Sequence, residues 1–424
     1  MRTHASATLF YGWWIVIAAF FTLGLAVGLP YFGMPFFYDY FTKPVAEGGF
    51  GWSRTTVTLG LPLGTLVTLW VGPLLAHRFA PRHLILAGTG LTALTLIGFG
   101  RMNGSVTLYW LLWMVYMVGN VFSGVLAHQV LLSHWFIRRR GTALSIGYLG
   151  ISLIGAFSAR FVAQPLTAAF GFRNALQVMG GLLLLAWPIV LLVMRDRPAD
   201  LGLQPDGDAD PATPQAPTPA TGAALPFRQI LRQRTFWLLL LGGSFAAGAL
   251  GTVSQHLKLV LKDGGFTDQA LLDDTFSRTL LILLITSAVG RLLIGWLTDR
   301  FSKRLVVTLA FIPLLFAFPL LLYFVQPPAT PYLFALLFGL ATGGDFLLAA
   351  LMAADQFNVA TLARVLGIML PVMTVGQTWL PYLVAVLREQ TGSYTLPLTL
   401  ALGLAFLGWL LLVLLPAPRK VLAD

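Results

Sequence analysis

Two arginines stand inside long apolar stretches, Arg291 in SAVGRLLIGWL and Arg160 in GAFSARFVAQP. A guanidinium there presents a planar fork of donors that matches a carboxylate, and a low dielectric strengthens the pairing. The chemistry on offer is the reversible capture of a small anion. Asp345, in GLATGGDFLLAAL, and His128, in GVLAHQVLLSHW, are apolar-embedded groups that can change charge, and so can carry a proton. Tyr31, Asn120 and Gln377 add hydrogen-bonding groups suited to lining a solute site. Structural roles compete with each of these. Arg291 can form an ion pair with Asp345, Arg160 can bind an anion or pair with that same acid, and His128 can be a neutral packing residue.

What must position such groups follows from composition. Of 424 residues, 57% are hydrophobic and only 10% charged, and the mean hydropathy is +0.80. A chain this apolar belongs in a bilayer. The formal charge of +11 does not indicate nucleic acid, because Lys and Arg fall between apolar runs and form no single exposed face. The absence of cysteine excludes disulfides, Cys-ligated metals and Cys nucleophiles. The first apolar run outlasts a signal peptide and reads as a retained span.

A helix crossing the hydrocarbon needs about 20 apolar residues. Cutting the chain at turns and charge clusters gives twelve, at about 11–38, 53–77, 82–100, 106–132, 141–168, 172–194, 235–258, 276–299, 303–325, 331–357, 364–387 and 394–416. The expected fold is all-α: two six-helix bundles, residues 1–194 and 235–424, joined by a linker over 195–234. That linker is rich in Pro, Ala, Thr and Asp. Its basic end, with Arg228, Arg232 and Arg234, reads either as a short amphipathic helix on the membrane surface or as a plain tether. Most Lys and Arg lie on one set of connections, which puts both termini on the cytoplasmic side of a plasma or bacterial inner membrane. On this topology Arg291 lies eight residues from Asp299, about 12 Å of helix rise and close to the middle of a hydrocarbon core ~30 Å thick. Arg291 and Arg160 must then face protein or water, not lipid. His256 falls toward the outer side.

The halves echo each other. GPLLAHRFAPRHLIL (72–86) and GWLTDRFSKRLVV (295–307) each follow the second span of a half and share a glycine, an Arg-Phe pair and further basic residues. They resemble the inner-loop motif of the major facilitator superfamily. That resemblance implies a twelve-helix transporter in which Asp299, Arg300, Arg78 and the basic triplet Arg138, Arg139 and Arg140 brace conformational change. In the first half His77 replaces the motif's acid and Ala80 its second glycine.

YGWWIVIAAFFTLGLAVGLPYFGMPFFYDYF, GFGWSRTTV and SHWFIRRRGTALSIGYLGISLIGA are similar to signatures of the monocarboxylate transporter and oxalate:formate antiporter branch. In those families an arginine of the eighth helix is taken to bind the substrate carboxylate, and Arg291 occupies the matching place. The chain departs from the pattern elsewhere. Tyr31 stands where proton-coupled members have a lysine, and Ser287 where they have an acid four residues before the arginine. The eleventh span offers Gln377 and no lysine, which disfavours a dianion.

The sequence thus points to a secondary transporter for a small organic anion, most simply a monocarboxylate, working by alternating access and open to proton symport. A multidrug or other organic-solute exporter of the same superfamily is the alternative, and a channel the alternative of a different class. No H-E-x-x-H, P-loop or G-x-S-x-G motif is present, and none for a metal or cofactor, so no enzyme is expected.

Overall fold

The computed structural model describes residues 10–75, 79–136, 139–207, 225–323, 329–357 and 359–416. Among the described residues the regular structure is helical, as a bilayer requires of a chain that must satisfy its own backbone groups. Twelve helical segments follow the expected order. In the first half α1 runs over 12–42, α2 over Arg54–Leu75, α3 over Pro81–Arg101 and α4 over 106–135. Helix α5 covers 140–170, and α6 covers 172–192 beyond a break at Gly171 (φ 77°). The second half holds α7 (Arg234–Asp263), α8 (Gln269–Arg300), α9 (Lys303–Tyr323), α10 (330–356), α11 (Val359–Thr391) and α12 (Thr395–Val413). Nine runs among the described residues are long and apolar enough to cross a membrane, one of them containing both α5 and α6.

Packing repeats between the halves. In the first, α1 packs on α5, α2 and α3 on α4, and α3 on α6; in the second, α7 packs on α11, α8 and α9 on α10, and α9 on α12. Each contact maps onto its counterpart six helices on. The halves meet through α2 against α11 and α5 against α8, which are again exchanged by the repeat. Small residues permit the tightest crossings. A side chain at Gly150 would run into the Phe20 carbonyl, and one at Gly28 into the Ile151 carbonyl, so α1 and α5 meet backbone to backbone.

Several helices are interrupted. α1 passes through a π segment at Gly24–Gly28 and a 3-10 turn at Met34–Phe37, with Pro30 between them and Pro35 inside the turn. α5 widens at Ser158–Ala163, and α4 breaks at Gly124. Prolines interrupt the hydrogen-bond ladder of α11 at Pro371 and Pro381. In the linker, Phe227–Leu231 forms a short helix with Ile230 buried and Arg228 and Arg232 exposed, the amphipathic arrangement.

Four helices, α1, α7, α8 and α11, exceed their expected ends by four residues or more. The sequence pattern closes the first span at 38, closes the seventh at 258 and opens the eighth at 276, each time at a charge. The structure instead carries α1 to 42, α7 to Asp263, α8 back to Gln269 and α11 over Val359–Thr391, bringing Asp39, Asp273 and Asp274 inside helices and placing Lys258 well within one. Charges end a span only where they stay solvated, and these are paired.

Candidate functional site

Arg291 is half-buried in the unbroken 32-residue α8, where that helix crosses α10. The crossing is made by glycines: a side chain at Gly343 would meet the backbone of Gly290 and Arg291, and one at Gly339 the Thr286 hydroxyl. Arg291 Nε donates to the Gly343 carbonyl at 3.4 Å, a long bond that ties the guanidinium to the α10 backbone. Asp345, two residues on, opens the second segment of α10; its side chain, like those of Asp299 and Arg140, lies outside the described ones.

The other candidate ligands come from separate helices. Tyr31 is half-buried on α1, its ring edge-on to Phe32 at 5.1 Å. Asn120 is half-buried on α4, one turn before the Gly124 break, and its carbonyl lies against that glycine. Gln377 is half-buried on α11 and packs on Gly251 of α7. His128 is fully buried with both ring nitrogens engaged, Nε2 at 2.8 Å from Thr22 Oγ1 and Nδ1 at 3.0 Å from the Gly124 carbonyl. His256 is equally committed, between Tyr394 Oη at 2.8 Å and the Pro381 carbonyl at 2.7 Å.

Arg160 is not brought to Arg291. Its guanidinium forms an ion pair with Asp274 and donates to Gln164 Oε1 at 3.1 Å. Asp274 and Arg291 lie 17 positions apart on α8, about 25 Å of rise. In this conformation a small solute cannot touch both arginines. The partner of Arg160 is therefore Asp274, an acid the sequence pattern places outside the spans.

The more extensive polar structure was not anticipated. It lies at the end of the bundle remote from Tyr11 and Pro416, termed here the distal face. Lys258 of α7, 1% exposed, places Nζ 2.7 Å from Asp39 Oδ1 of α1 and 2.7 Å from Asp273 Oδ1 of α8, and donates to the Phe36 carbonyl at 2.6 Å. Gln269 Nε2 donates to both acids at 2.8 Å, and Tyr40 Oη donates to Asp273. Nearer the rim, Arg54 of α2 and Arg388 of α11 share Asp263 of α7, while Glu389 accepts from Thr55. Every one of these sets crosses between the halves. An ion pair withdrawn from water must recover a large desolvation cost, and the additional donors and acceptors around Lys258 serve that end.

At the opposite, terminal face the second-half loop is braced. Lys303 pairs with Asp355 and donates to the Leu351 carbonyl at 2.8 Å, and Arg304 donates to the Leu415 carbonyl at the end of α12. Exposed Arg300 stacks 4.3 Å over Trp296. Arg139 is exposed just before α5, whereas Arg78 and Arg138 lie outside the described residues.

Comparison with known proteins agrees with this architecture. The family model described as Major Facilitator Superfamily matches residues 125–287. Monocarboxylate transporter 11 of Homo sapiens is 25% identical over 422 residues, covering 96% of this chain and 83% of that protein. Monocarboxylate transporter 13 of Bos taurus is 26% identical over 413 residues, covering 96% and 89%. Among solved structures, the nucleoside transporter NupG superposes with a TM-score of 0.71 at 11% identity, covering 95% of this chain and 99% of that one. A bacterial homologue of the human lysosomal transporter Spinster, solved inward-facing and unoccupied, gives 0.64 at 14% identity, covering 96% and 94%. These low identities speak to fold alone. The family match over residues 125–287, the transporter relatives and the repeated six-helix packing together support a multi-pass membrane transporter of the major facilitator fold rather than an enzyme.

Proposed function

We propose that the protein is a secondary active carrier of a small organic anion, with a monocarboxylate as the favoured class, and that Arg291 is its principal ligand. The observation that carries this reading is a half-buried guanidinium deep within α8, at the crossing with α10. The similarity to monocarboxylate transporters over most of the chain supports it. Tyr31, Asn120 and Gln377 contribute polar edges from the first, fourth and eleventh helices, and a single cation matches a single carboxylate. The terminal face is cytoplasmic, and the halves, 1–194 and 235–424, rock about the centre. The distal ion pairs then make this the conformation closed to the outside.

Protons drive accumulation through Asp345, which follows the glycine that receives Arg291, and not through His128, whose ring is held in packing. The decisive experiment is uptake of radiolabelled monocarboxylates, dicarboxylates and lipophilic cations into proteoliposomes, with and without a pH gradient. Saturable monocarboxylate uptake with counterflow is expected, lost in Arg291→Ala and partly kept in Arg291→Lys. Uptake of lipophilic cations alone would favour the exporter, and non-saturating flux the channel.

A further inference from the structure

The surroundings of Lys258 are specific to an ammonium group. Three oxygens lie within 2.7 Å of Nζ: the Asp39 and Asp273 carboxylates, which pair with it as ions, and the Phe36 carbonyl, to which it donates. Aromatic faces enclose it as well, with the Phe36 ring centroid at 3.8 Å, Tyr40 at 4.7 Å and Phe276 at 5.8 Å. Two acids around one ammonium leave the cage with a net negative charge, so its cohesion requires a cation. The walls have different owners. Phe36, Asp39 and Tyr40 belong to α1 in the first half, and Asp273 and Phe276 to α8 in the second.

A crevice of about 500 Å³ adjoins this cage at the distal face, and Tyr40, Gln269 and Asp273 line both. Lys43 and Glu47 stand in its wall, and the hydroxyl of Thr167, a residue only 9% exposed, lines it without a hydrogen-bond partner. A small polar ion can therefore approach the cage without crossing the apolar core.

We propose that this cage is a binding site for primary ammonium ions, occupied in cis by the Lys258 side chain, and that its occupancy holds the two halves together at the distal face. A carrier must break this contact to open outward. A short alkylammonium entering by the crevice replaces the lysine headgroup when that is removed. The inference depends on the two halves separating during transport and not on which solute Arg291 engages.

The chain has no native cysteine, so spin labels attach only where cysteines are introduced. Asn103→Cys and Ala329→Cys place them on exposed distal positions of opposite halves. Pulsed dipolar measurements then report closure of the distal face directly, independently of uptake. Lys258→Ala is expected to move the closed-to-open ratio toward open by more than about tenfold. Millimolar ethylammonium or propylammonium should restore the closed distance, while sodium and tetramethylammonium should not. A variant that keeps the wild-type distance, or one restored equally by every cation, overturns the proposal. Should Lys258→Ala fail to fold, Asp39→Asn leaves the Lys258–Asp273 pair within the second half intact and removes the Lys258–Asp39 ion pair between the halves. It is expected to open the distal face, and an unchanged distance there rejects the lock.

Discussion

Asp274 and Arg291 lie on one unbroken helix, one facing the partner half at the distal end and the other tied to the α10 backbone about 25 Å away. Through Asp274, α8 is paired with Arg160 of the other half at the distal face. Through Arg291 it presents the cation at which a solute is proposed to bind. A rigid helix joining the two gives rigid-body rocking a direct mechanical link, because tilting α8 displaces both together.

Arg160 and Asp274 should behave as a coupled pair across the halves. Both side chains are 29% exposed, which limits their interaction to about 1 kcal/mol, above the usual surface pair and far below a buried one. A double-mutant cycle with Arg160→Gln and Asp274→Asn, read by thermal unfolding in detergent, is expected to show that coupling. Strict additivity of the two variants would mean that the contact contributes nothing.

Around Asp263 the consequence differs. Its carboxylate is shared by Arg54 and Arg388 at side-chain exposures between 17 and 23%. Asp263→Asn leaves two neighbouring guanidiniums without their counter-ion, and added salt screens their repulsion. The variant should lose stability at low ionic strength and recover most of it in molar salt. Lys258→Ala should recover far less in sodium salt, since sodium does not replace the ammonium contacts that the lysine makes with Asp39, Asp273 and the Phe36 carbonyl. Melting curves at two salt concentrations test the contrast.

Most of the fold was legible because the bilayer leaves few options. Apolar runs of spanning length reported the helices, and the echo between the two parts of the sequence has its counterpart in the repeated helix packing. The distal lock was not, for a definite reason. Asp39 in FFYDYF, Lys258 in HLKLVLKD and Asp273 in LLDDTF each look like a charge marking the end of a span. Only contacts between α1, α7 and α8 turn them inward, and no local pattern encodes a partnership across more than two hundred residues. A usable clue existed all the same. Each lies a turn inside a further charged or turn residue, so extending the spans by one turn would have put three charges of both signs at the same depth.

The α1–α5 crossing should tolerate no side chain. Gly150 faces the Phe20 carbonyl and Gly28 the Ile151 carbonyl, and backbone cannot yield as a flexible side chain does. Gly150→Val is expected to cost at least about 3 kcal/mol, beyond ordinary overpacking, and to abolish the folded protein. Gly295 in α8 is the control, having no atom within 4 Å of an added Cβ. Gly295→Ala should be neutral or slightly stabilising, since alanine is the better helix former. Fluorescence size-exclusion profiles and melting temperatures separate these outcomes, and equal damage at both positions would show that helix approach is not what Gly150 protects.

The two groups first singled out as proton carriers can be told apart by what each variant leaves intact. His128 joins α4 to α1 through Thr22, with its other nitrogen on the Gly124 carbonyl, so its loss breaks buried hydrogen bonds worth about 1 kcal/mol each. His128→Gln should lower the melting temperature while leaving the stimulation of uptake by an inward proton gradient unchanged. Asp345 begins the segment of α10 that follows the Arg291 contact. There Asp345→Asn should abolish the gradient's stimulation yet preserve exchange of labelled for unlabelled solute at equal pH, because exchange needs the binding site and no net proton movement. If His128→Gln is the variant that loses stimulation, the proton path runs between α1 and α4, and Asp345 serves only to hold α10 beside Arg291.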